Sequence, residues 1–259
     1  MLVLDSVARS LHAAQQQQQQ RQQQQNAVID ACIVLNHVLP EDTARFLAAA
    51  QTVIACDGGA NRLREAFPEA DVDVIIGDMD SAEEASIEHF VSLGQQRGRP
   101  CEVVRLPHDQ DSTDLQKALA HMDTSDVQGR PTVVVLGALG GRLDHTLQHL
   151  NIGLQHVDRT RLVFVSDECF TEVLPAGETE LRIQPGEEGR ACGLVPFAAP
   201  VRATTTGLVW NLQPTAELEL KWGALISTSN LVQPDTDTLT FHTNNPVLWT
   251  IERSPVVAA

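Results

Sequence analysis

The chain has 259 residues, 42% of them hydrophobic, and a formal net charge of −16. An acidic balance of this size argues against nucleic acid or an anionic membrane as a partner, because both need a basic face. No apolar run reaches the roughly 18 residues of a membrane span, and the length suits one large domain or two ordinary ones.

The first residues, MLVLDSVARSLHAA, carry an acid and lack a basic leader region, so they make a poor signal peptide. Residues 15–25 are glutamines broken only by Arg21. With no apolar face to bury, the tract is expected to be disordered or a frayed helix, and residues 1–26 are read as a tail outside the fold. The folded part opens with a strand over 27–35 and a helix over 41–50. A second strand, 52–56, runs directly into Asp57-Gly58-Gly59, followed by a short helix over 60–67. A third strand, 72–76, ends in Gly77-Asp78-Met79-Asp80-Ser81. Ser81 with Glu84 three residues on reads as a capping box for a helix to residue 93. A turn over 94–100 leads to a strand over 101–106 and a helix capped by Ser112 or Thr113. A strand over 132–136 ends in Gly137-Ala138-Leu139-Gly140-Gly141, and a helix over 143–156 leads to a strand over 161–166.

This alternation predicts an α/β domain over 27–166, a mostly parallel doubly wound sheet with helices on both faces. After residue 167 helical periodicity stops. Runs at 171–174, 179–183, 207–212, 223–227, 238–242 and 247–251 are separated by Pro, Gly, Asn and Asp, which predicts an all-β sandwich or barrel over 167–259. The five cysteines, Cys32, Cys56, Cys101, Cys169 and Cys192, are odd in number and form no C-x-x-C pair. They read as reduced thiols in a cytoplasmic protein, without the spacing of a zinc site.

The chemistry is expected where the parallel strands end, since ligands of open α/β sheets bind at that edge. Asp57, the pair Asp78 and Asp80, Asp111 with Asp114, and Asp144 all follow predicted strands. Carboxylates spaced i, i+2 on a loop can turn toward one point and hold Mg²⁺, with Asp114 adding a further hard oxygen. Gly58, Gly59, Gly140 and Gly141 stand beside helix starts, where backbone N–H groups can face a polyphosphate. Lys117, one turn after Asp114, reaches the same phosphates or pairs with Asp114. Arg142 can fork onto phosphate oxygens. Asp144 holds Arg142 or a ligand hydroxyl, or is simply an acid at a helix start. His145 and His149 lack the glutamate of a zinc-protease helix and read as ordinary helix residues. No Walker loop, kinase catalytic loop or G-x-S-x-G elbow occurs. In the β region, Trp210, Trp222 and Trp249 either pack in a core or stack on a flat heteroaromatic cation. Ser227-Thr228-Ser229-Asn230 either forms a turn or offers hydroxyls and an amide to ring nitrogens.

The series DGGANRL (57–63), IIGDMDS (75–81), DQDSTDLQKAL (109–119), LGALGGRLDHTLQHLN (136–151), TGLVWNL (206–212) and STSN (227–230) resembles thiamine pyrophosphokinase. The likeness spans residue 28 to the C-terminus. It implies an α/β domain followed by a β-sandwich, a homodimer with thiamine in clefts between subunits, and Mg²⁺-dependent transfer of pyrophosphate from ATP to the thiamine hydroxyl, releasing AMP. It implies that Asp78, Asp80 and Asp114 are the metal and catalytic acids, with Asp57 and Asp111 at the same site. Gly58, Gly59, Asn61, Lys117, Gly140, Gly141, Arg142 and Asp144 fall to the nucleotide, and Gln110, Trp210, Ser227, Ser229 and Asn230 to thiamine. Met79 stands where many relatives have Phe and Ser112 where several have His; neither change removes a ligand oxygen. The rival readings are a nucleotide-sugar glycosyltransferase using Asp78-x-Asp80, a haloacid-dehalogenase-type phosphatase, and a binder without turnover. The first leaves the later acidic clusters unexplained, and the second needs its D-x-D on the first strand.

Overall fold

The computed structural model describes residues 2–9, 29–109, 111–123, 130–213 and 219–254. The chain divides into two units, one formed by Gln25–Ile152 with Phe164–Ser166 and the other by Met1–Gln24, Gly153–Val163 and Asp167–Ala259. The glutamine tract lies outside the described residues.

Strand β1 (Leu2–Asp5) belongs to the second unit. The first unit is built on β2 (Ile29–Val34), β3 (Ala50–Cys56), β4 (Val74–Gly77), β5 (Glu102–Arg105) and β6 (Thr132–Leu136). All four pairings, β2 with β3, β3 with β4, β4 with β5 and β2 with β6, are parallel. The strand interiors are runs of β-branched and small residues, such as Ile33, Val34, Ile54, Ile75 and Val133 to Val135, all buried. That is the composition of strands covered on both faces. The helices are α1 (Thr43–Ala49), α2 (Gly59–Ala66), α3 (Glu84–Arg97), α4 (Asp114–Asp123) and α5 (Leu143–His156). The chain steps outward from β2 to β5, then returns to pair β6 with the other side of β2. Right-handed crossovers therefore place α1 to α3 on one face and α4 on the opposite one. The direction of winding reverses between β2 and β6, which creates a crevice at their carboxyl ends.

Helix α3 departs from expectation at both ends. It starts at Glu84, not after Ser81, and it runs on to Arg97, whose guanidinium binds Asp71 and Glu69 at 2.6 Å each.

The second unit has two sheets. Its strands are β7 (Arg161–Val165, shared with the first unit), β8 (Cys169–Leu174), β9 (Gly177–Arg182), β10 (Glu188–Pro196), β11 (Ala203–Thr206), β12 (Ser227–Leu231), β13 (Thr238–Thr243) and β14 (Val247–Arg253). Strands β12, β10, β14 and β8 follow one another antiparallel, and β1, β9, β13 and β11 form the other sheet. Trp249 of β14 packs on Phe241 of β13 with ring centroids 5.1 Å apart, joining the two layers in one core. The strand expected at 207–212 is absent, and the one expected at 223–227 begins only at Ser227, as β12. Residues 208–210 form a turn in which Asn211 Oδ1 accepts the Leu208 N–H at 3.1 Å. Strand β10 escaped the sequence reading because Gly189, Ala191 and Gly193 break its apolar alternation.

The tail assignment is also corrected for its first residues. Leu2–Asp5 pairs in parallel with β9. The adjoining glutamine tract had dominated the composition of the segment, although LVL is itself strand-forming.

Beside this strand lies a buried cluster with one cation and two acids. Arg161 binds Glu172 through two hydrogen bonds of 2.7 Å, and its guanidinium also donates to the carbonyl of Asp5. Glu188 accepts the Ser6 hydroxyl at 2.9 Å and the Gln184 N–H at 2.6 Å. Burial pushes Glu188 from its ordinary 4.5 up to about 7, against the pull of those two donors. The folded chain thus binds this proton more tightly than the unfolded one. The contribution to stability is complete below pH 4.5 and is lost as pH rises through about 7. In denaturant titrations Glu188→Gln should gain on the parent steadily from pH 4.5 to 7 and no further above it. A difference independent of pH would contradict this assignment.

Candidate active site

Strands β3 and β4 end side by side, with Cys56 opposite Ile76 and the Asp57 N–H on the Ile76 carbonyl at 2.9 Å. Asp57 is 3% exposed and turns into the left-handed region at φ 45°. Its carboxylate accepts the Ala82 N–H at 2.8 Å and the Ser81 N–H at 3.2 Å. Asn61, in the first turn of α2, donates to the Ser81 carbonyl at 2.8 Å and accepts the Glu83 N–H at 2.9 Å. The motif Asp57-Gly58-Gly59-Ala60-Asn61 is therefore a clasp on the loop that follows β4. It also explains why Ser81 does not cap α3. The Ser81 backbone is held by Asp57 and Asn61, and its hydroxyl donates to Asp80 at 2.8 Å.

Two further features aim the loop. Gly77 lies so close to Asp57 that a Cβ there would sit 2.8 Å from the Asp57 Cβ. Met79 adopts φ 67°, a left-handed turn rare for a side chain of its size, between the two aspartates. One carboxylate oxygen from each of Asp57, Asp78 and Asp80 falls within 4.8 Å of the others.

Asp114 opens α4, where Thr113 and Gln116 exchange hydrogen bonds as a capping box. Lys117, only 4% exposed, extends between Asp114 at 3.4 Å and Asp78 at 3.5 Å. The ion-pair alternative for Lys117 is thus present and links two strand ends. Asp111 is exposed and does not join the trio; Asp109 accepts the Ser112 N–H at 3.0 Å beside it. Gln110 lies outside the described residues.

The charges explain one another. Burial pushes the Asp57 carboxyl up, the Ala82 N–H draws it down, and neighbouring Asp80 pushes it up again. Burial likewise raises Asp114, against Lys117 and with Asp57 and Asp78. Burial opposes the charge of Lys117, but Asp114 and Asp78 outweigh it and hold the ammonium above the ordinary lysine value. One lysine does not neutralise four acids. Three hard oxygens this close, under mutual repulsion, fit a divalent cation of the Mg²⁺ or Ca²⁺ type and lack the nitrogen or sulfur donors that zinc favours.

The crevice between β2 and β6 brings the expected Gly140 and Gly141 beside two residues that the sequence reading missed, Asn36 and His37. Gly137, Gly140 and Gly141 all have positive φ, at 73°, 93° and 64°. Any Cβ at Gly140 or Gly141 would meet the His37 ring at 3.0–3.2 Å, and one at Gly137 would meet the Leu35 carbonyl at 2.8 Å. Asn36 and His37 follow β2 at the same edge as the acids. Strand-end logic could have found them, but they bring neither a carboxylate nor a glycine. Asn36 accepts from Arg62 at 3.0 Å and fills the space beside Gly58; the Val34 carbonyl fills that beside Gly59. Both of those glycines are buried, and chain packing accounts for them. Gly140 and Gly141 are exposed, as are Arg142 and Asp144, which pair at 2.5 Å. His149 donates from Nδ1 to the Ala138 carbonyl at 2.7 Å, tying α5 to the glycine loop.

The remaining residues lie in the second unit. Trp210 and Trp222 are 59% and 64% exposed, whereas Trp249 is core. Asn230 is buried; its amide donates to the Trp210 carbonyl at 2.8 Å and its oxygen accepts the Trp210 N–H at 3.3 Å. It fixes the tryptophan's backbone. Ser227 is buried beside it, and Ser229 is exposed at φ 59°.

Two substitutions separate the clasp from the acids. Asn61→Ala removes both of its contacts with the loop and should lower activity by about tenfold or more while costing only about 1–2 kcal/mol of stability. Gly77→Ala drives a methyl group into Asp57 and should cost about 1–3 kcal/mol, with loss of metal affinity. Turnover assays, calorimetric titration with Mn²⁺ and thermal unfolding of the same samples check both.

The thiamin pyrophosphokinase catalytic-domain profile matches residues 43–165, and the vitamin B1 binding-domain profile of the same enzyme matches residues 178–248. The chain is 37% identical over 239 residues to thiamine pyrophosphokinase 1 of Arabidopsis thaliana, covering 85% of each. It is 36% identical over 239 residues to thiamine pyrophosphokinase 3 of Oryza sativa subsp. japonica, covering 85% of this chain and 86% of that one. Among solved structures, the thiamin pyrophosphokinase of Candida albicans superposes with a TM-score of 0.75 at 20% identity, over 86% of this chain and 90% of that one. The yeast enzyme gives 0.73 at 16% identity, over 98% and 91%. The structural likeness shows the shared fold; with both profiles and the identity to the plant enzymes, it follows that this chain belongs to the thiamine pyrophosphokinase family.

Proposed function

We propose that the acidic edge of the first unit is where this chain transfers the pyrophosphate of ATP to the hydroxyl of thiamine, giving thiamine diphosphate and AMP. The observation that carries this reading is the convergence of Asp57, Asp78 and Asp80 within 4.8 Å, with Lys117 bridging Asp78 to Asp114. Asp57, Asp78 and Asp80 would hold Mg²⁺, and the ion would supply charge neutralisation and alignment of the phosphates. The thiamine oxygen attacks the β-phosphorus, the bond from that phosphorus to the α–β bridging oxygen breaks, and AMP leaves with the bridging oxygen. The proton of the attacking hydroxyl passes to a carboxylate. Asp114 suits this role: it stands outside the trio, and burial raises its affinity for a proton. Asp111 is the weakest of the proposed metal acids, since it is not among the carboxylates that fall within 4.8 Å of one another.

On the nucleotide side, Gly140, Gly141 and Arg142 present backbone N–H groups and a guanidinium. Asp144 keeps Arg142 paired until phosphate oxygens compete for it. Gly58, Gly59 and Asn61 act by shaping the loop rather than by touching ATP, and Lys117 acts by fixing two acids. On the thiamine side, exposed Trp210 offers a face to the cationic ring, with Ser227, Ser229 and Gln110 as polar partners and Asn230 as the residue that positions Trp210. A homodimer is proposed on the exposure of Trp210, Trp222 and Leu225 in one unit and of Leu143 and Leu147 in the other, surface that a partner subunit would cover. A cytoplasmic location is proposed on the free state of the five cysteines. Among the described residues no helix is long and apolar enough to cross a membrane.

Mixing the protein with ATP, Mg²⁺ and thiamine should release AMP, and omission of thiamine should abolish it. Asp78→Asn or Asp80→Asn should each reduce turnover at least about a thousandfold with an unchanged circular dichroism spectrum. Parent-like turnover in either variant would remove the metal role. Trp222→Glu should shift the mass in light scattering from dimer to monomer, and a monomeric parent would refute the assembly.

A further inference from the structure

Residues 2–9 do more than add an edge strand. Strand β1 pairs with β9 from Leu2 opposite Thr179 to Asp5 opposite Arg182, and the Ser6 N–H continues onto the Arg182 carbonyl at 2.6 Å. Val7 and Ala8 are then fully buried. Three polar contacts fix the segment from different sides. The Ser6 hydroxyl donates to Glu188 at 2.9 Å, Arg161 donates to the Asp5 carbonyl, and Arg9 reaches Asp237 at 3.4 Å.

Glu188 is the first residue of β10, and β12 is built on β10, with Cys192 opposite Asn230 and Leu194 opposite Ser227. On its other side the first half of β10 meets β14 through an irregular ladder, with Glu188 opposite Arg253 and the Ala191 N–H on Glu252 at 3.4 Å. Its register with β14 breaks between Glu188 and Cys192, and Gly189 lies in that stretch. A strand with a glycine and an interrupted ladder is loose unless its end is anchored. The Glu188 carboxylate is anchored by the Ser6 hydroxyl and the Gln184 N–H, and its own N–H returns to the Gln184 carbonyl at 3.1 Å; farther along, Arg190 exchanges hydrogen bonds with the Val232 backbone.

We propose that residues 2–9 are a positioning strap: by holding Glu188 they set the register of β10 and hence of β12, so that Ser227, Asn230 and, through Asn230, Trp210 are placed for thiamine. The inference rests on the thiamine reading of the second unit given above. Ser6 and Glu188 act through other residues and touch no substrate in this scheme.

The test compares the full chain with a variant lacking residues 2–9 and with Ser6→Ala and Ser6→Thr. The readouts are KM for thiamine, KM for ATP, kcat, and hydrogen exchange over Gly177–Arg182, Glu188–Pro196 and Ser227–Leu231. Loss of the strap should raise the thiamine KM roughly two- to thirtyfold, the range of coupling carried through packed elements, while the ATP KM stays within about twofold. Exchange should quicken in all three segments. Ser6→Ala should follow in the same direction, and Ser6→Thr, which keeps the hydroxyl, should restore parent behaviour. Faster exchange in β9 alone with an unchanged thiamine KM would overturn the proposal, as would equal rises in both KM values. Should the shortened chain fail to fold, the Ser6 pair decides. A parent chain that releases no AMP with thiamine would instead remove the thiamine reading, and exchange in β12 would then judge the strap by itself.

Discussion

A buried carboxylate at the end of β3 governs the site. Asp57 turns back to bind the Ser81 and Ala82 N–H groups, and in doing so it fixes the loop that carries Asp78 and Asp80. Those backbone donors give an anion in a poorly solvated place some compensation, but the approach of Asp80 works against them. The arrangement is strained in the electrostatic sense. Repulsion that a loop would ordinarily relieve by swinging outward is retained, because Asn61 holds the same loop from a second side. A cation placed among the three carboxylates would offset that repulsion.

Lys117 divides the remaining acid from this trio. Its ammonium lies between Asp78 and Asp114, so it couples the loop after β4 to the start of α4. Because its side chain is buried, exchange of this lysine for a neutral residue would remove the cation that Asp78 and Asp114 share. The lysine and two of the glycines that suggest phosphate contacts also take part in the packing around the acidic pocket. The exposed nucleotide-facing candidates are the glycines and arginine after β6, on the other flank of β2.

The sequence carried the parallel sheet well, because five β-branched runs each led into a turn and a helix, and the strands lie within a few residues of those runs. Acids at strand ends were legible for the same reason: in a parallel sheet those ends share an edge whatever the strand order. What could not be read was which polar group binds which. Ser81 has the spacing of a helix cap, yet tertiary bonds from Asp57 and Asn61 outcompete that local role. Asn230 has the residue type of a ligand contact, and nothing in the sequence shows that its amide also holds the backbone of Trp210. The β unit was harder. Glycines hid β10, side-chain-stabilised turns around Asn211 imitated a strand, and β1 was masked by its glutamine-rich neighbour.

Anomalous diffraction from crystals grown with Mn²⁺ and a non-hydrolysable ATP analogue tests the central claim most directly. The account predicts a manganese peak ligated by oxygens of Asp57, Asp78 and Asp80, with the analogue's phosphates against the ion and the loop from Asp78 to Glu83 in its present course. Manganese bound elsewhere, or a loop released from Asp57 and Asn61 when the metal enters, would contradict it.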